Sequence, residues 1–449
     1  MAQKNKRAEL QADSEAKAAG TAQGGGFQEE AAVETVGKAS ASEARAAGAE
    51  QGGEFQEAAS VETAEKASAS RSASGVQAAG GGFLTVRAID TPCIVIRSDT
   101  VDANIAAMAA AAARRGVQLR PHVKTHKLPE LAHRQLAAGA CGITAAKLSE
   151  AEVMADHGIR DIFIAYPVIG AAKAERAARL ARRCRLVVGV DSAVGAQQLS
   201  AAAEAADITL EVRLEIESGL QRTGVLPERA LPLAEQIMRM PGLRLTGIFT
   251  YRGALLGGAP TLELRAAGLE EGRLMAGVAE ALRREGVPIQ DVSVGSTPTA
   301  IYAAEVPGVT EIRPGTYVFQ DRMQAAFGVC RQEECAAEVW ATVISRPAPD
   351  RIVIDGGSKT FATDVQPNKA PLHLEGFGRI IGLPHAVFER MNEEHGVILI
   401  APEDTCEPGD VLRIVPNHIC STMNLHNSVY INGREGLRQV EVAARGCIQ

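Results

Sequence analysis

The sequence predicts an α/β chain: a (β/α)8 barrel of the TIM type followed by a C-terminal domain of β-strands, with a disordered repetitive tail in front. Three observations predict it. From Phe83 onward, apolar strand-like runs alternate with alanine-rich helical ones in about eight units of roughly 25 residues each. After about residue 330 the helical patterns thin out and short strands follow one another. Before residue 83 the chain repeats itself and has little to bury.

The tail spans 1–82. SEAKAAGTAQGGGF (14–27), SEARAAGAEQGGEF (42–55) and SRSASGVQAAGGGF (70–83) recur every 28 residues. Each unit offers a core only a phenylalanine and one or two valines, too little to offset the entropy of ordering it.

The barrel is expected over 83–330. PCIVIR leads into VDANIAAMAAAAARRG, VQLRPHV into KLPELAHRQLAAG, GITAAK into LSEAEVMADHG, and DIFIAYPVI into AAKAERAARLARR. RLVVGVD precedes AVGAQQLSAAAEAA, and ITLEVRLEI precedes LPERALPLAEQIMRM. RLTGIFTYRG is followed by a helix from about 260 to 285, then by IQDVSVGST and GVTEIRPGTY. Over 331–449, VWATVISRP, DRIVIDGGS, FGRIIGLP, HGVILIAP, VLRIVPNH and SVYIN read as strands of an all-β domain.

Composition excludes several classes. A net charge of −7 argues against a nucleic-acid surface. No run approaches the ~20 apolar residues of a membrane span, and MAQKNKRAELQADSE has no apolar core of a secretory signal behind its basic residues. Cys93, Cys141, Cys184, Cys330, Cys335, Cys406, Cys420 and Cys447 are scattered without a CxxC pair. That usage fits a reduced, cytoplasmic chain.

Four motifs carry chemistry. LRPHVKTHK (119–127) is a strand running into its C-terminal end, where barrels of this kind place active sites. Partial desolvation of Lys124 there would lower its pKa and free an amine for Schiff-base chemistry; a solvated loop lysine is the plain alternative. SVGSTPT (293–299) offers Gly295, Ser296 and Thr297, whose N–H groups and hydroxyls could cradle a phosphate late in the barrel, although such a run also makes ordinary turns. EIESGLQRTGV (215–225) puts Arg222 in a glycine-flanked loop, suited to a phenolate or carboxylate but equally to a surface. In PNHICSTMNLH (416–426), His418 and Cys420 are two apart, so on a strand both would point to one face. Imidazole plus thiolate suits zinc, though a core histidine beside a buried cysteine is commoner.

TP at 91–92, RPHVKTHK, GITAAKLSEAEVM, the Gly-x-x-Arg-x-Gly loop, GSTPT, RPGTY and PNHIC together resemble the D-threonine aldolase / D-serine dehydratase family. The resemblance runs from about residue 85 to the end. It implies a pyridoxal-phosphate enzyme of the alanine-racemase fold type, a homodimer, and a small D-amino acid bearing a β-hydroxyl as substrate. By position, Lys124 matches the family's Schiff-base lysine, Arg222 the arginine near the cofactor's phenolic oxygen, and Tyr251 an active-site tyrosine. Gly295, Ser296 and Thr297 fall in its phosphate turn. His122 and Thr125 flank the lysine. Tyr317, in RPGTY, would line the pocket, with a structural turn as the alternative.

His418 and Cys420 match the family's divalent-metal pair, with zinc favoured over manganese or magnesium. The implied reaction is a lyase reaction, either β-elimination or retro-aldol cleavage. One departure bears on the choice: many members carry a histidine soon after the barrel tyrosine, whereas YRGALLGGAP (251–260) has none. That, with the H-x-C pair, tilts the expectation to dehydration. A non-catalytic pyridoxal-phosphate carrier and an amino-acid racemase of the same fold are the other readings.

Overall fold

A computed structural model describes residues 89–449, so the repeats at 1–82 lie outside the described residues. Eight strands, Gln118–Leu119, Ile143–Ala145, Asp161–Pro167, Arg185–Val190, Leu210–Glu215, Leu243–Phe249, Asp291–Val294 and Glu311–Ile312, lie side by side in chain order. All neighbouring pairs are parallel. A parallel bridge between His122 and Thr144, with Thr144 N–H donating to the Pro121 carbonyl at 2.8 Å, closes the ring. The expected (β/α)8 barrel is what forms.

Its strands are short apolar runs because both faces are covered, the outer one by helices. Those helices present alanine: Ala174, Ala177 and Ala178 of Ala171–Ala181 are buried in the barrel's main core with Ile162, Ile164 and Val188. Small side chains let helix and sheet approach closely.

The strand Cys93–Arg97, expected in the barrel, lies elsewhere. It pairs antiparallel with Ala337–Ala348 and parallel with Ser428–Gly433, inside the C-terminal sheet. Ile94 and Ile96 enter the core of that domain, while Cys93 and Val95 face a second cluster with Tyr430. The helix Ser98–Arg114 then crosses over: Val101 and Ile105 belong to the β-domain core, Ala112 to the barrel core. The chain thus enters the second domain first. The eighth place in the barrel goes to Glu311–Ile312.

The long strand Ala337–Ala348 organises the β-domain, pairing with Cys93–Arg97, Arg351–Ile354 and Val411–Pro416. His418 and Cys420 do not lie on a strand as expected. The strand ends at Pro416, His418 is extended, and Cys420 sits in the first turn of the helix Ile419–Met423. Asp321, on the segment leaving the barrel, accepts the Ile419 N–H at 3.1 Å and holds that helix over the barrel. Among the described residues no helix is long and apolar enough to cross a membrane, and all eight cysteines are unpaired.

A charged layer fills one level of the barrel. Glu311 Oε1 accepts from Arg213 Nη1 at 2.6 Å and Ser293 Oγ at 2.5 Å, and Oε2 accepts from Arg120 Nε at 2.7 Å. Asp291 and Asp161 take the outer sides of the two guanidiniums. Burial alone would raise the Glu311 carboxyl, but the two arginines hold it well below the usual carboxylate range. A depressed carboxyl adds stability above its unfolded pKa and loses it as pH falls through the native value. Glu311→Ala, which strands two buried cations, should cost about 3–5 kcal/mol in denaturant unfolding. An unchanged midpoint and slope would contradict the layer's role.

Candidate active site

The candidate residues converge at the C-terminal ends of the barrel strands, where each successive strand–loop junction contributes to one mouth. Two cavities of about 710 and 330 Å³ meet there, sharing His122, Lys124, Ala146, Lys147, Tyr251 and Arg313 as walls.

Lys124 sits in a short 3-10 turn, Val123–Thr125, entered through His122, whose Nδ1 accepts the Lys124 N–H at 3.4 Å. Its Nζ lies 5.2 Å from the Tyr251 ring centroid, and no carboxylate is within ion-pair distance among the described residues. Lys127 is the opposite case. It is buried, donates to Glu150 Oε1 at 2.9 Å and reaches the Ala444 carbonyl at 3.4 Å. Lys124 thus offers the cavity an amine with no ion-pair partner, whereas the Lys127 ammonium is taken by Glu150. Burial, then the charges of Lys124 and Arg313, holds the His122 imidazole well below its ordinary pKa, so it is neutral.

The turn expected to cradle a phosphate follows Asp291–Val294. Gly295 has φ +86°, and a Cβ there would fall 2.8 Å from Ala300 Cα; its N–H is taken by Glu271 Oε1 at 3.1 Å. Glu271 is fully buried under the turn, and burial pushes its carboxyl up to about 7. Gly295 therefore shapes the turn, and the N–H groups of Ser296 and Thr297, without protein acceptors among the described residues, are the free donors. Thr297 Oγ1 accepts the Tyr317 N–H at 3.1 Å, which leaves its own proton to give. Tyr317 itself lies beneath the cavity and not in its wall: its ring is buried and its hydroxyl accepts from Gln135 Nε2 at 3.0 Å.

Opposite the turn, Arg222 lies with its guanidinium carbon 5.1 Å from the Tyr251 ring centroid, so Tyr251 stands between two cations. Four contributors were not singled out in the sequence. Arg313 is buried in the floor, donating to Ser293 Oγ at 2.6 Å and to the Thr250 carbonyl. Lys147 stacks on Tyr166 at 3.7 Å. Glu215 lines the smaller cavity. Gly315 is required by close approach, because a Cβ would meet Thr125 Oγ1 at 2.9 Å. Lys147 and Glu215 both stand at strand ends, a signal the sequence carried without identifying a partner.

His418 and Cys420, the pair expected to bind a metal, come from the β-domain. Thr125 Oγ1 lies 3.1 Å and Thr316 Oγ1 3.4 Å from Cys420 Sγ. His418 Nδ1 meets Asp364 Oδ2 at 2.6 Å, which orients the ring and leaves Nε2 for a ligand. Burial would raise the Cys420 thiol, but His418 and the two hydroxyls hold it below its ordinary value. Burial likewise works against a charged His418, yet Cys420 and Asp364 hold it well above its own. An acidified thiol beside a carboxylate-anchored imidazole is a donor set for a borderline-soft divalent ion. Among the described residues no third protein ligand joins them, so water or substrate would complete the coordination.

Comparison with known proteins agrees with this architecture. A family model described as the N-terminal domain of alanine racemase matches residues 96–323, and one for a serine dehydratase domain matches 336–432. D-threonine aldolase of Arthrobacter sp. is 35% identical over 367 residues, 80% of this chain and 93% of that protein. D-threo-3-hydroxyaspartate dehydratase of Delftia sp. is 37% identical over 357 residues, 75% of this chain and 93% of that protein. The crystal structure of D-threonine aldolase from Filomicrobium marinum superimposes with a TM-score of 0.73 at 32% identity, covering 83% of this chain and 100% of that one. D-threo-3-hydroxyaspartate dehydratase has also been solved with a histidine replaced by alanine and, two positions further on, with a cysteine replaced by alanine in a metal-free form, both at 34% identity.

The two lysines should separate by stability. In cofactor-free protein, Lys127→Ala strands Glu150 and should cost about 3–5 kcal/mol, whereas Lys124→Ala should change unfolding by no more than about 0.5 kcal/mol. Equal losses by thermal or denaturant unfolding would contradict the assignment.

Proposed function

We propose a reaction from one premise: this chain belongs to the family that joins an alanine racemase N-terminal domain to a serine dehydratase domain, the family of D-threonine aldolase and D-threo-3-hydroxyaspartate dehydratase. It is a pyridoxal-phosphate-dependent lyase of D-3-hydroxy amino acids. Within that class the proposed reaction is β-elimination of water, with D-serine and D-threonine as test substrates.

The cavity fits the cofactor. Lys124 brings an uncommitted amine, Ser296 and Thr297 bring free N–H and hydroxyl donors for a phosphate, and Tyr251 with Arg222 walls a flat ring. Pyridoxal phosphate, when bound, supplies an electron sink for the bonds at the α-carbon of an attached amino acid. The observation that carries the reading is the contact between Thr125, next to Lys124, and Cys420. It brings the amine of the barrel and the metal pair of the β-domain to one cavity.

Lys124 Nζ removes the α-proton. His418 and Cys420 would hold a divalent ion, zinc by donor chemistry, that supplies Lewis acidity for the β-oxygen. Asp364 keeps His418 in the tautomer that presents Nε2. Lys147, without a carboxylate partner among the described residues, faces the substrate's carboxylate from the shared wall. Retro-aldol cleavage would need a base at the β-hydroxyl. The position after Tyr251 is Arg252, buried and paired with Glu270, and supplies none. D-threo-3-hydroxyaspartate dehydratase, with a histidine and a cysteine two residues apart, supports the same choice. The unpaired cysteines support a cytoplasmic setting, and the homodimer rests on the family resemblance.

Exhaustive chelation should abolish turnover while the absorbance of bound cofactor persists, and Cys420→Ala should do the same. D-serine should yield pyruvate and ammonia, and D-threonine 2-oxobutyrate. Glycine and acetaldehyde from D-threonine would replace dehydration by aldol cleavage. Full turnover by metal-free protein would overturn the metal's part in the reaction, and absence of any lyase product would revive the carrier and racemase readings.

A further inference from the structure

Glu215 is the last residue of its barrel strand and is only 3% exposed. Its Oε1 accepts the Thr223 hydroxyl at 2.8 Å, whereas Oε2 is buried with no hydrogen-bond partner. A buried carboxylate oxygen without a donor is costly, and such atoms are rare unless something fills the place. Glu215 lines the smaller cavity, and so does Arg222.

Arg222 has the complementary deficit. Its guanidinium has no carboxylate partner among the described residues and rests near the Tyr251 ring. The backbone carrying it is fixed all the same. Val225 N–H donates to the Glu215 carbonyl at 2.9 Å and Glu217 N–H to the Val225 carbonyl at 2.9 Å, so the loop returns onto the strand it left. Glu217 Oε1 accepts the Gly219 and Gln221 N–H groups at 2.7 and 2.8 Å, and Asp191 Oδ2 accepts Gly224 N–H at 3.3 Å. The loop is held at both ends while the arginine head is free. Of the other cations lining this cavity, Arg313 is committed to Ser293 and the Thr250 carbonyl, Lys147 rests on the Tyr166 ring, and Lys124 is taken up by the cofactor in the proposed site.

We infer that Glu215 is a positioning residue: its free oxygen accepts the Arg222 guanidinium and fixes it against the cofactor's ring. This rests on the reading of the cavity as a pyridoxal-phosphate site. Burial raises the Glu215 carboxyl, Thr223 and the guanidiniums of Arg222 and Arg313 lower it, and Asp191 raises it again. On balance the carboxyl stands above its ordinary value, burial being the largest cause.

A double-mutant cycle on cofactor-free protein tests it, with pyridoxal phosphate titrated and binding read from absorbance. Glu215→Gln keeps an oxygen for Thr223 but turns an amide N–H₂ toward the guanidinium. Glu215→Gln and Arg222→Met should each weaken cofactor binding roughly tenfold, and the double variant should be no weaker than either by more than about twofold, since coupled residues do not add. Glu215→Asp should recover part of the loss, and the melting temperature of the cofactor-free Gln variant should match that of the unsubstituted protein. Losses that multiply in the double variant, or unchanged affinity in Glu215→Gln, would overturn the inference. If the unsubstituted protein binds no pyridoxal phosphate, the cofactor reading itself fails and the inference with it.

Discussion

The buried ion pair between Lys127 and Glu150 is the constraint on which the site depends. Glu150 is wholly buried and serves two donors, the Lys127 ammonium through Oε1 and the Ala146 N–H through Oε2. One carboxylate thus ties the loop after the first barrel strand to the loop after the second. Lys127 has φ +56°, a conformation that β-carbon-bearing residues rarely adopt, and its buried partner holds it there. With Lys127 pinned, the 3-10 turn before it is set and Lys124 projects into the mouth. The Ala444 carbonyl meets the same ammonium and Ala444 N–H the Lys127 carbonyl, so the C-terminal segment is fastened to the loop as well.

The second constraint is the way the chain threads its two sheets. Because Cys93–Arg97 sits between Ala337–Ala348 and Ser428–Gly433, the β-domain is completed by residues that precede the barrel. The barrel is closed between two parts of one sheet, and the helix Ile419–Met423 comes down on its mouth. Contacts of Cys420 with Thr125 and Thr316 follow from that placement. His418 and Cys420 on one domain and the Lys124 amine on the other thereby line one cavity.

Much of this was legible in the sequence, for identifiable reasons. Barrel strands read correctly wherever a strand run met an alanine-rich helix, because that alternation is the packing of the fold. PCIVIR was misplaced because a short, fully buried apolar run shows composition and no partner, and two different sheets can take it. Glu311–Ile312 was included through its segment, GVTEIRPGTY, although the strand itself is too short to carry a period. Lys124 was legible because a lysine at a strand's end has an address, and GST because a turn has a chemistry. The pairing of His418 with Cys420 was readable from spacing, but its backbone was not: Pro416 ends the strand and Asp321, nearly a hundred residues earlier, caps the helix. Tyr317 was displaced by a partner, Gln135, that no local pattern announces. Glu215, Lys147 and Asp364 are ordinary charged residues until folding decides what stands opposite them.

The central claim is that Lys124, and not the buried and paired Lys127, supplies the amine that holds the cofactor. Borohydride reduction of the cofactor-loaded protein, followed by proteolysis and peptide mapping, tests it most directly. The account predicts a pyridoxyl group on Lys124 alone. A pyridoxyl group on Lys127 or Lys147 would contradict it.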